Sequence, residues 1–204
     1  MKRSMVWMAV AAWWLGASTY GQVLDLQTGR GADLYNEPIS SVEGGLVSGD
    51  IDLFGARFNY KTGDNLMLMG NIASVDVGDD ETAIGVAAMY QLATDLPVST
   101  AVKGGYGMTM SGDVDWTDMY VEAIFSGPID DLLGWYANVG VHILEYEFDF
   151  LGSSYSDDET FFKFGGGLTY AINDRGTIFG GIDMLTGDAA DGTVVGGGFR
   201  WALE

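Results

Sequence analysis

The sequence predicts an all-β fold, a closed antiparallel up-and-down transmembrane β-barrel, with ten strands as the expected count and eight as the alternative. Three observations predict it. Apolar and polar residues alternate with period two through most of the chain beyond residue 38, the periodicity of strands with two unlike faces. Every second strand ends on an aromatic residue just before a compact turn. The face bearing those aromatics is almost free of charge, whereas the opposite face mixes charged side chains with glycine.

Composition agrees with this class and excludes others. At 204 residues the chain suffices for one domain, and 31 Gly, 10 Tyr, 10 Phe and 6 Trp against 3 Pro suit strands joined by tight turns. The absence of cysteine excludes a disulfide framework, a thiolate nucleophile and a Cys-ligated zinc. Nine Lys and Arg against 29 Asp and Glu exclude nucleic acid as a partner, because phosphate binding needs clustered cations.

At the start, Lys2 and Arg3 precede the apolar run "MVWMAVAAWWL" (Met5 to Leu15), and small residues follow in "GASTYG". This order of a basic start, a short apolar stretch and a small-residue exit is that of a secretory signal peptide, with cleavage expected after Gly21 or near Ser18. The run is too short for a membrane-spanning helix, which takes about 20 apolar residues. Residues 22–38, "QVLDLQTGRGADLYNEP", show no period and are expected to be a periplasmic tail or a plug; the barrel is expected over 39–204.

Nine stretches then read as strands, over 51–60, 66–77, 82–92, 97–110, 116–125, 133–150, 160–172, 177–185 and 193–203. On alternate strands Tyr60, Tyr90, Phe125 and Tyr170 each stand before a turn carrying Asp, and Trp201 holds the same place in the terminal "GGGFRWALE". One aromatic always at the same end implies a ring at one height around a closed sheet, the arrangement that suits a bilayer interface. The connections at the other ends, "SGD", "GDDE", "SGDVD", "GSSYSDDE" and "GDAADG", are all acidic. This alternation requires one more strand before Ile51, for which "ISSVEGGLV" (Ile39 to Val47) is the candidate, and ten is the even count that closed bacterial barrels favour.

The two faces separate cleanly. Phe54, Ala56, Phe58, Val86, Ala88, Val121, Ala123, Phe162, Phe164, Val195 and Phe199 fall with the aromatics. Arg57, Lys103, Asp118, Glu122, Lys163, Asp183 and Arg200 fall on the other side with Asn59, Asn138, Thr169 and many glycines. In a barrel these seven charged residues share a narrow lumen, where an unpaired charge costs several kcal/mol, so Arg57, Lys103, Lys163 and Arg200 are expected to pair with Asp118, Glu122 and Asp183.

With its leader, aromatic-ended hairpins and last strand, the sequence resembles the small outer-membrane β-barrel proteins of Gram-negative bacteria, in the broad class of the outer-membrane protein A transmembrane domain and the opacity adhesins. The resemblance covers about residues 39 to 203. It implies an outer-membrane location, lipid and lipopolysaccharide as neighbours, and the barrel-assembly machinery as a partner during biogenesis. That machinery recognises a Gly-x-x-φ-x-φ pattern on the closing strand, with φ apolar or aromatic. Gly198, Trp201 and Leu203 match it, and so do Gly196, Phe199 and Trp201 in a second register; the usual terminal aromatic is replaced by Leu203 and Glu204.

Catalytic and metal patterns are weak. His142, the only histidine, lies on the inner face of "WYANVGVHILEYEF", where Glu145 or Glu147 could orient it as a general base. Outer-membrane proteases of the omptin type carry an Asp-x-His pair and lipid A deacylases a His-x-Ser pair; "GVHIL" lacks the Asp, and Leu144 stands in the Ser position. A structural hydrogen bond in the lumen is the expected role. The acidic stretches "DVDWTD" (Asp113 to Asp118) and "DVGDDE" (Asp76 to Glu81) lack calcium-loop spacing, so solvated charges are expected, with divalent bridges to lipopolysaccharide phosphates as the alternative. No cofactor or metal is expected. The function expected is that of a non-enzymatic outer-membrane barrel with a narrow or plugged polar lumen, serving a structural or surface-interaction role or passing very small solutes. The alternative is a soluble periplasmic lipocalin-like barrel with its apolar face turned inward on a hydrophobic ligand.

Overall fold

The computed structural model describes residues 39–48, 52–76, 80–93, 97–109, 114–150, 153–187 and 192–203. The expected leader (1–21), the tail or plug (22–38) and Glu204 lie outside them. Among the described residues ten strands follow one another: β1 (Ser40–Ser48), β2 (Asp52–Lys61), β3 (Leu66–Asp76), β4 (Asp80–Leu92), β5 (Ser99–Thr109), β6 (Val114–Pro128), β7 (Leu133–Phe150), β8 (Ser153–Ala171), β9 (Gly176–Gly187) and β10 (Gly192–Ala202). Each is antiparallel to its chain neighbours, and β10 pairs with β1 to close the sheet. Ten strands are therefore observed, and the count of eight does not hold. Closure leaves no strand at an open edge of the sheet; the β7–β8 hairpin runs on past its other neighbours, with β8 pairing to β9 from Phe161 onward.

Local chemistry places the turns. In "TGDN", between β2 and β3, Gly63 adopts φ +126°, a conformation that side chains resist. Between β6 and β7 the Asp130 carboxylate accepts the N–H groups of Leu132 and Leu133, each at 2.8 Å. Those two donors hold its carboxyl below the ordinary aspartate range. Asn173 does the same in "NDRG", accepting from Arg175 at 2.9 Å and Gly176 at 2.8 Å. These are the side-chain-to-backbone bonds that make Asn and Asp turn residues.

One hairpin departs from the sequence reading. Residues 152–159 were expected to form a loop, but β8 begins at Ser153 and pairs with β7 as far as Phe150↔Ser153. Beyond the apolar belt neither face of a strand has to be greasy, so "SSYSDDE" forms a ladder without the alternation that marks the rest. Likewise β6 starts at Val114, inside the stretch read as the connection "SGDVD".

Where side chains are described, the barrel is inside out by the standard of a soluble protein. Phe54, Val86, Leu46 and Val121 are each about 60% exposed on the outside. Glu122, Lys103, Asp118 and Lys163 are fully buried within. Glycine in the closing strand lets both faces be met: Gly198 sits opposite Phe179 of β9, whose ring tip lies 2.7 Å from where a Cβ would stand. Phe199 and Trp201 project outward with ring centroids 5.8 Å apart.

Residues 199–202 of β10 pair with residues 41–44 of β1, half of the closing seam. A chain ending at Gly198 is expected to lose the heat-modifiable folded form on electrophoresis that closed barrels show. A truncated protein that still gives that form would mean the seam lies elsewhere.

Candidate functional site

The interior is built from rows of residues that lie in register across neighbouring strands. The first row runs Lys103 on β5, Glu122 on β6, Gly140 on β7 and Lys163 on β8. Because Gly140 has no side chain, the Glu122 carboxylate extends across β7 to the far lysine. Its Cγ lies only 2.5 Å from where a Gly140 Cβ would stand. Glu122 is thereby held between two ammonium groups, with Lys103 Nζ at 2.5 Å and Lys163 Nζ at 2.6 Å. Asp183 on β9 uses the same device. It lies opposite Gly165, occupies the space a Cβ there would take, and comes within 3.9 Å of Lys163.

A second row, two residues toward the acidic-loop end, is made of rings. Tyr120, His142 and Phe161 lie in register on β6, β7 and β8. The imidazole is stacked between the other two, with centroids 5.0 Å from Tyr120 and 4.7 Å from Phe161 and planes inclined by 18° and 15°. Its edges face carboxylates: Nδ1 meets Asp118 at 3.1 Å and 3.2 Å, and Nε2 is 3.5 Å from Glu122. Lys103 Nζ also stands 5.1 Å from the Tyr120 ring centroid, which adds a cation–π contact to its ion pair. Glu145 is exposed, on the opposite face from His142, and does not orient it; the Glu147 side chain is outside the described set.

A third row closes the other side of the barrel, where Arg57, Glu43, Arg200 and Thr177 lie in register on β2, β1, β10 and β9. Arg57 is 3.5 Å from Glu43, and the Arg200 guanidinium donates to Thr177 Oγ1 at 3.3 Å. The ion pair found for Arg57 is thus with Glu43, which faces it across the β1–β2 hairpin. Closure inserts β1 between β2 and β10, so the carboxylate of the first strand stands between the two arginines. Sequence reasoning omitted Glu43 from the charged set. The signal was present in "SSVEGGLV", where Glu43 shares alternation with Ser41, Gly45 and Val47.

Apolar layers flank the charges. Met67, Met69, Met89, Ala101 and Ile124 pack together inside the barrel toward the tight-turn end. Val47, Leu144, Leu185 and Val194 are buried toward the loop end. Between them the charged groups have little water to solvate them, so each ion pair is held where breaking it by removal of one partner costs about 3–5 kcal/mol.

The remaining expected residues occupy the outside or the seam. Tyr60, Tyr90, Phe125, Tyr170 and Trp201 all point outward near the tight-turn end. Gly198 faces inward, Phe199, Trp201 and Leu203 outward, and the Leu203 N–H donates to the Ser40 carbonyl at 3.0 Å.

The fold and the site together define a class: a closed ten-stranded antiparallel barrel with an apolar exterior and an ionic interior. No family model matches the chain, and no curated protein resembles it in sequence. Solved structures similar to it include the N-terminal β-barrel domain of Pseudomonas aeruginosa OprF, 15% identical over 79% of this chain and 95% of that one, with a TM-score of 0.43. Another is the Yersinia pestis outer membrane protein Ail, 16% identical over 81% of this chain and 100% of that one, TM-score 0.43. A third is LpxR from Salmonella typhimurium, 10% identical over 74% and 72%, TM-score 0.47. At these identities the likeness is one of fold.

Gly140→Ala is expected to destabilise the barrel by about 1–3 kcal/mol in denaturant unfolding from lipid vesicles, because the added methyl collides with Glu122 and with the Val121 carbonyl at 2.9 Å. Gly70→Ala, whose Cβ would meet nothing within 4 Å, provides the control and should change stability far less.

Proposed function

We propose that this chain is a non-enzymatic outer-membrane β-barrel, exported by its leader, whose lumen is sealed by the ionic cluster centred on Glu122. Its role is structural or interactive at the cell surface, with leakage limited to very small solutes. The observation that carries this reading is the inverted polarity: exposed Phe, Leu, Ile and Val on the outside, buried Lys, Arg, Asp and Glu on the inside. Water penalises such an exterior and hydrocarbon rewards it.

The same inversion weighs against a lipocalin-like binder, which needs its apolar face turned inward. An enzymatic role for His142 is disfavoured by its full burial between two rings, where a substrate cannot reach it. In this reading Tyr60, Tyr90, Phe125, Tyr170 and Trp201 lie at the interface on the tight-turn side, in contact with lipid. Gly198, Phe199, Trp201 and Leu203 present the assembly signal to the barrel-assembly machinery. Lipopolysaccharide is the expected neighbour of the loop end.

Conductance tests the seal. In planar bilayers the unaltered barrel should conduct weakly. Glu122→Gln, which leaves Lys103 and Lys163 facing each other without their carboxylate, should raise conductance several-fold and shift selectivity toward anions. Arg200→Gln should raise it less, since Arg200 is only partly buried and lies outside the Glu122 cluster. Large conductance in the unaltered protein, or no response to either substitution, would overturn the sealed lumen.

A further inference from the structure

The exterior of the barrel is organised in two tiers of bulky side chains separated by a continuous ring of small ones. Eight members of the ring are in-register pairs: Gly44↔Ala56, Ala88↔Gly104, Ala137↔Gly166 and Gly180↔Gly197. Gly70 on β3 and Ala123 on β6 complete it, so every strand contributes one outward Gly or Ala. Passing from strand to strand, the ring either keeps register or steps two residues toward the tight-turn end. It makes that step six times before returning to Gly44; Gly70, for example, pairs with Phe58, two residues beyond Ala56. The stagger of the closed barrel is therefore twelve residues. Distributing it evenly around ten strands keeps the ring at one height, perpendicular to the barrel axis.

Two residues toward the loops stands a tier that includes Leu46, Phe54, Ile72, Val86, Val121 and Val195, all exposed. Two residues the other way stands a tier that includes Phe58, Leu68, Tyr90, Leu168, Ile178 and Phe199, exposed as well. Polar residues resume on the outer face at comparable distances. Ser74 and Thr193 lie four residues loopward of the ring, and Thr82 and Thr186 six. Ser40 lies four residues on the other side and Thr62 six. Ten strands with a stagger of twelve tilt by about 40°, so each residue climbs roughly 2.5 Å along the axis. The belt thus reaches roughly 10–15 Å from the ring in both directions, the dimensions of an apolar band about 25 Å tall.

We infer that the two tiers are a lipid-facing surface built one tier per leaflet, with the ring of small residues at the bilayer midplane, where the acyl-chain ends of the two leaflets meet. This rests on the membrane-spanning reading above and deepens it by fixing depth and tilt. The occupant follows from closure: a protein partner or a second copy covers one arc of a cylinder, whereas a pattern repeated on all ten strands is complementary only to something that surrounds it. The ring is also level with the buried ionic row, since Lys103 and Glu122 adjoin Gly104 and Ala123. The charges thus sit farthest from both aqueous phases.

The absence of cysteine makes the test direct, because each introduced thiol is a unique nitroxide site. Ala56→Cys, Ala88→Cys, Ala123→Cys and Ala137→Cys are labelled in folded protein in phosphatidylcholine vesicles, and depth is read from relative accessibility to oxygen and to a nickel chelate. The four should report the same depth, the greatest on their strands, with labels at Phe54→Cys and Phe58→Cys about 5 Å shallower on either side. Depths that differ around the ring by more than about 5 Å, or a maximum within either tier, would overturn the inference while leaving the spanning barrel intact. Full accessibility of every label to the nickel chelate would overturn the spanning reading itself, and this inference with it.

Discussion

Ten strands closed with a stagger of twelve residues enclose a space only about 10 Å in radius measured to the backbone, and the rest of the structure is shaped by that width. Two large side chains cannot both point inward from adjacent strands at every level. Glycines therefore stand beside several of the large interior residues along the hydrogen-bonding direction. Glu122 lies over Gly140, Asp183 over Gly165, Tyr120 beside Gly105 and Phe179 beside Gly198. Glycine in these strands makes room for a specific neighbour, although it weakens a strand taken alone.

The same narrowness governs the charges inside. A carboxylate inside this cylinder has no bulk water to retreat to, so its stability depends on cations brought within about 3 Å by the neighbouring strands. Glu122 has two such cations, and Lys163 is shared with Asp183. Bridging four strands, these contacts resist slippage of one strand past another, since a shift of one residue would turn that strand's charges to the outside. The network that fills the lumen thereby also favours a single register.

Outside, the constraint has the opposite sense. Within the barrel wall each strand is paired on both sides, so the exterior is free to be apolar, and its shape is set by side-chain size. A profile narrow in the middle and broad in two tiers arises from one small residue per strand at one height. That coordination is invisible in any single strand, where Ala56 or Gly70 is just one small residue among others.

Much of the architecture was legible in the chain. Period-two alternation located the strands, Gly63, Asp130 and Asn173 marked turns through their local chemistry, and the charge contrast between faces distinguished a membrane-type barrel from a soluble one. These are properties of residues two to four apart, which a sequence displays directly. The partners of the charges were not legible in the same way. Arg57 meets Glu43 because the register of the β1–β2 hairpin sets them opposite each other; His142 meets Asp118 because β6 and β7 pair with Tyr120 opposite His142. The start of β8, residues 153–159, was missed because strands outside an apolar belt need no alternation to mark them. By itself the sequence determined which face of each strand is greasy and where the chain turns, because local periodicity decides both. Only the tertiary structure decided which charge neutralises which and at what height, because register and stagger are set by all ten strands closing at once.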